Sequence, residues 1–152
     1  MANLETVSLM NEDTEEYVVT YDIDTHDIVE WTWTGVEHPL WTSGIPIKGY
    51  TPEMAKGLMK SYLEERVWEP NYVASCVLLD AFGLKEYNIR DIARKTYGIM
   101  RFSSVTRWLW FHDQPKRTFK EICEISANNW AGLDERCALY NQSLHFMLGG
   151  NN

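Results

Sequence analysis

Apolar and polar residues alternate with period two between Glu16 and Thr34. Tyr17, Val19 and Tyr21 fall on one face, and Val29, Trp31 and Trp33 on one face of a return segment. Alternation of β-branched and aromatic residues is the signature of a half-buried strand. The polar run Asp22-Ile23-Asp24-Thr25-His26-Asp27 supplies the turn. The pattern therefore predicts a β-hairpin over 16–34. Residues 1–14 are polar and acidic, and read as a mobile tail or an edge segment. Gly35 to Tyr50 is rich in Pro and Gly and reads as a loop, with room for a short third strand at Ile45 to Lys48 that would make the hairpin a small sheet.

Beyond Tyr50 the period changes to that of a helix. Thr51 and Pro52 form a helix start, and Met54, Leu58, Met59, Tyr62, Leu63 and Val67 share a face up to Pro70. Asn71 opens a second helix that Gly83 ends, and Asn88 a third that Gly98 ends. Ser103 or Ser104 caps a predicted fourth helix running to His112. Thr118 and Glu121 have capping-box spacing for a fifth. Leu133, Cys137, Tyr140, Leu144 and Met147 stripe a sixth. The expected fold is α+β: one domain over 1–152, with an N-terminal antiparallel hairpin packed on a bundle of five to six helices.

Composition sharpens this only in places. The chain has 152 residues, enough for a core without disulfide or metal staples. Its three cysteines, Cys76, Cys123 and Cys137, are odd in number and widely spaced, which argues for reduced, mostly buried thiols in a reducing compartment. The start has neither a basic nor an apolar leader region, and no run of about 18 apolar residues occurs, so a cytoplasmic protein that does not enter a membrane is expected.

Charge is more informative. The net charge is −8, but residues 1–37 hold ten Asp or Glu and no Lys or Arg, while residues 85–120 hold nine Lys or Arg against three Asp or Glu. An acidic front suits a basic partner and can imitate the phosphate charge of nucleic acid. The leading expectation is a non-enzymatic protein-binding protein (an inhibitor, adaptor or subunit). It would meet a basic surface, such as that of a nucleic-acid-handling protein, through Glu15, Glu16, Asp22, Asp24, Asp27 and Glu30.

The basic middle carries the second reading. The segment 88–109, with Ile92-Ala93, Gly98-Ile99, Val105 and Leu109, resembles a helix-turn-helix. That resemblance implies a DNA-binding regulator. Ser103, Ser104, Thr106 and Arg107 would lie near base edges, and Arg90, Arg94, Lys95 and Arg101 near phosphates. Against it, Val105, Trp108, Leu109, Trp110 and Phe111 make the second helix apolar nearly all round, which is the pattern of a buried element.

Enzymatic signatures are sparse. There is no phosphate-cradling glycine loop and no nucleophile elbow, and His26, His38, His112 and His145 are scattered. No metal ligand set, cofactor or catalytic residue is assigned. A pairing of Cys123 or Cys137 with His112 or His145 is the one nucleophile–base combination the residue types allow, and it keeps an enzyme of unrecognised type as the third reading.

Overall fold

The structure is a computed structural model, and it describes residues 3–37, 41, 58–100 and 106–148. The predicted strand at 45–48, the start of the first predicted helix, and the candidate residues Arg101, Ser103 and Ser104 lie outside these residues.

Four antiparallel strands form one sheet: β1 (Leu4–Asn11), β2 (Thr14–Asp22), β3 (Ile28–Trp33) and β4 (Arg107–Phe111), in the order β3-β2-β1-β4. The helices are α1 (Leu58–Glu65), α2 (Ser75–Ala81), α3 (Ile89–Thr96), α4 (Phe119–Trp130) and α5 (Leu133–Met147). The fold is α+β, as the periodicities imply, but two expectations are corrected. The acidic N-terminus is not a tail: residues 4–11 form an interior strand, with Val7 and Leu9 fully buried. Residues 107–111, assigned to a fourth helix, form the edge strand β4, so the predicted bundle of five to six helices gives way to a sheet with helices on both faces.

The reason lies in β4 itself. Leu109 and Phe111 enter the main core with Val7, Leu9, Tyr17, Val19 and Tyr21, under Met59, Leu63 and Ile92. Trp108 points the other way, into a second core with Met10, Ile99 and Ile122 beneath α4. A strand covered on both faces is apolar at nearly every position, and periodicity alone cannot separate it from a buried helix.

The hairpin of β2 and β3 forms where alternation places it, with Tyr17 opposite Trp33 and Val19 opposite Trp31. A bulge then shifts the register, so that Tyr21 faces Ile28 and Val29 is skipped. Ile28 consequently enters the core, and Val29, expected on the Trp31 face, is exposed. A second bulge, between β1 and β2, skips Glu16.

Helix ends follow their capping chemistry. Asn88 accepts from the Asp91 N–H at the start of α3. Thr118 and Glu121 make a complete capping box on α4, where Asp13 also accepts the Phe119 N–H at 2.7 Å. After α3, Tyr97 and Gly98 both take left-handed conformations, which turns the chain back toward the sheet. The Tyr97 carbonyl then accepts the Leu109 N–H at 2.9 Å.

Candidate functional site: the hairpin carboxylates and the arginines of α3

The six carboxylates predicted to meet a partner divide into three groups. Glu16 is 1% exposed, because the bulge turns it inward, and its Oε1 accepts the Trp41 backbone N–H at 3.1 Å. Asp22 caps its own turn, accepting from the N–H groups of Asp24 and Thr25 at 2.8 and 3.2 Å. Glu15 accepts the Ser8 hydroxyl at 2.5 Å. Asp24 and Glu30 are exposed and Asp27 is half-buried; these three form the outward charge of the turn and of β3. On β3, the strand that carries Glu30, Val29 and Trp33 are also exposed.

The candidate nucleic-acid residues are placed differently. Arg90 donates to both oxygens of Glu5, at 2.8 and 2.7 Å. Arg94 donates to Glu5 at 2.8 Å and to both oxygens of Asp113, at 2.9 and 2.8 Å. Tyr21 completes the set, donating to Glu5 at 2.5 Å. Burial pushes the Glu5 carboxyl up, but the hydrogen bonds from Arg90 and Tyr21 and the charges of both arginines outweigh it and hold the group below its ordinary range. Burial and the bond to Glu5 drive the Tyr21 phenol far above its ordinary value. Lys95 is exposed on α3. Thr106 is half-buried, and its carbonyl accepts the Glu12 N–H at 2.6 Å. The Arg107 guanidinium lies 5.6 Å from the Trp41 ring centre, and Arg66 lies the same distance from that ring. Thr106 and Arg107 stand in a turn and a strand, not in a recognition helix.

Arg66 is a buried cation that the sequence did not single out. It donates to the carbonyls of Gly98 and Arg107, both at 2.7 Å. Burial, with the neighbouring Arg107 charge, brings its guanidinium down to about 10, still protonated at neutral pH.

Sequence reading named His112 only as a base for Cys123 or Cys137, and passed over Ser8. Ser8 is fully buried and lies 2.7 Å from His112 Nε2, as well as bonding Glu15. A hydroxyl has one proton, and here it goes to the carboxylate, so Nε2 must be the donor to Ser8. A nucleophilic serine instead gives its proton to the imidazole and has an open path to substrate. The trio is a strut across β2, β1 and the end of β4. Partial burial lowers the His112 pKa, with Glu15 pulling it up and Lys116 pushing it down. Glu5 carried a usable signal, since it shares parity with Val7 and Leu9 and so lies on the core face. The partnership of Ser8 with His112 spans 104 positions and left none.

No protein-family model, curated protein or solved structure matches the chain. Among the described residues, no group of three His, Cys, Asp or Glu could hold a metal ion, and no helix is long and apolar enough to cross a membrane. Cys137 is buried, Cys123 half-buried and Cys76 exposed. Burial and nearby glutamates raise the Cys123 thiol, the direction that disfavours a thiolate nucleophile.

Proposed function

We propose that this is a protein-binding protein whose acidic hairpin docks on a basic surface of a nucleic-acid-handling partner, in the place that nucleic acid would occupy. The observation that carries the reading is the composition of one edge. Asp24 and Glu30 are exposed and Asp27 half-buried on the turn and β3, Val29 is exposed next to Glu30, Trp33 is exposed farther along the same strand, and no Lys or Arg occurs anywhere in residues 1–37. Carboxylates of one sign steer a basic partner, and an exposed aromatic gives the contact its anchor. Glu16 and Asp22 serve the fold of the hairpin and drop out of the contact set. The arginines of α3 spend their hydrogen bonds on Glu5 and Asp113, which leaves the acidic edge as the better-supported surface.

The test is a pull-down with the tagged protein, with and without nuclease, comparing wild type with an Asp24→Lys/Glu30→Lys double variant. Wild type should retain a stoichiometric protein that survives nuclease and is released by added duplex DNA. The double variant should fold and retain nothing. Equal capture by both proteins would overturn the acidic edge as the contact, and a partner indifferent to competing DNA would overturn the mimicry.

A further inference from the structure

Among the described residues Arg66, which follows α1 directly, is the one Lys or Arg that folding buries, at 5% exposure. Its Nε and Nη2 are spent on the carbonyls of Gly98 and Arg107, and no hydrogen bond engages its Nη1 among the described residues. Carbonyl dipoles orient a guanidinium without cancelling its charge, and buried charges are as a rule paired. No carboxylate among the described residues pairs with Arg66. Glu65 acts on it only through space, from an exposed position, and the buried Glu16 is turned to the Trp41 backbone N–H instead. A second cation stands alongside. The Arg107 guanidinium, half-buried at the start of β4, approaches the same Trp41 ring as Arg66, and its like charge weakens the hold of Arg66 on its proton. The Arg107 side chain has neither a hydrogen bond nor an ion pair among the described residues, and its one contact is the ring. Trp41 is a fixed platform, since its indole N–H donates to the Met10 carbonyl at 2.7 Å, so the ring offers the two cations only its π surface. Two like charges are thus gathered at one buried ring with donors to spare.

We propose that Arg66 and Arg107 form a binding site for a terminal phosphate group, free or carried by a small molecule, which supplies the missing counter-charge beside Trp41. Two features select this chemistry. The first is the donor set. Guanidinium forks match the oxygens of a phosphate, which brings three strong acceptors and a charge of about −1.5 to −2 at neutral pH against two cations. The second is depth. A cation as buried as Arg66 is reached by the end of a molecule, whereas the backbone of a nucleic acid needs its cations on open surface. The site lies away from the acidic edge of β3 and does not depend on what that edge contacts.

Calorimetric titration of the full chain at constant ionic strength tests this, with inorganic phosphate and glycerol phosphate as probes and chloride as the control. Wild type should take up one phosphate group per chain and should melt higher with phosphate than with chloride. Arg107→Gln has no side-chain hydrogen bond to lose, should keep the wild-type circular dichroism, and should weaken uptake by about tenfold or more. Arg66→Lys keeps the charge but loses the fork, and should weaken uptake to a similar degree. Tighter binding of inorganic phosphate identifies the free ion as the ligand, and binding of glycerol phosphate at least as tight identifies a monoester; either supports the site. No uptake of either probe, or uptake that Arg107→Gln leaves unchanged, overturns it. So does a wild type that ignores both probes and instead binds duplex DNA lacking terminal phosphates.

Discussion

Arg90 of α3 closes on Glu5 of β1 with two hydrogen bonds of 2.8 and 2.7 Å, pinning the first strand of the chain to a helix 85 positions later. The Glu5 side chain is only 8% exposed, so its charge depends on these partners. Removing Arg90 alone leaves Arg94 on the carboxylate, and Arg90→Ala should cost about 1–3 kcal/mol. Removing both arginines strands a buried charge, and Arg90→Ala/Arg94→Ala should cost roughly 3–5 kcal/mol. Urea unfolding of the three proteins measures the difference.

The same carboxylate sets an acid response. Its folded pKa lies below its ordinary value of 4.5. Between the two values the unfolded chain binds a proton that the native chain does not, so stability is full above the ordinary value and falls as pH drops through the folded one. The melting temperature of wild type should therefore decline more steeply below pH 4.5 than that of Glu5→Gln, which starts lower and has no such proton to take up. Parallel slopes would refute the assignment.

His112 should titrate below its ordinary 6.5, since burial disfavours the imidazolium. Glu15 raises the value, so Glu15→Gln should lower it further. The neutral ring should carry its proton on Nε2, the nitrogen 2.7 Å from Ser8. Nitrogen-15 NMR of the imidazole reads both the titration and the tautomer.

Gly98 has φ +67°, and a Cβ there would stand 3.0 Å from Cγ and Cδ1 of Leu109. Gly98→Ala meets the left-handed penalty of about 1–2 kcal/mol and a contact inside the core. Thermal unfolding should show a loss of that order or larger.

Two acidic residues of one hairpin should behave oppositely on charge reversal. Glu16→Lys places a cation where the fold buries a carboxylate beside the Trp41 N–H, and should cost at least about 3 kcal/mol. Glu30→Lys changes an exposed side chain on β3 and should stay within about 0.5 kcal/mol of wild type. Chemical denaturation separates the two.

What could be read from the sequence was whatever local chemistry decides. The Asn88 cap, the Thr118–Glu121 box and the alternation of Tyr17, Val19 and Tyr21 each name their own structure within a few residues. Long-range pairing decides the rest. Val7 and Leu9 already alternate, but in a polar, acidic segment whose partners on one side lie at 107–111 they look like part of a tail. Trp108, Leu109 and Phe111 are all buried because two cores meet at β4, and a run apolar on both faces reads equally well as a buried helix. The bulges were also silent, and they decided which acids face outward: one buries Glu16 and the other exposes Val29 beside Glu30.

The position of β1 has a consequence for how the chain is made. β1 is synthesised well before β4, and it has neighbours on both sides, β2 at once and β4 only after residue 111 has been added. During that interval the nascent meander of β1, β2 and β3 presents β1 as an open rim, with Val7 and Leu9 not yet covered by Leu109 and Phe111. Strand pairing over this separation is slow to form, and exposed rims pair with other chains. The ten Asp and Glu of residues 1–37, with no Lys or Arg among them, then repel the like-charged rims of neighbouring nascent chains until the late strand arrives.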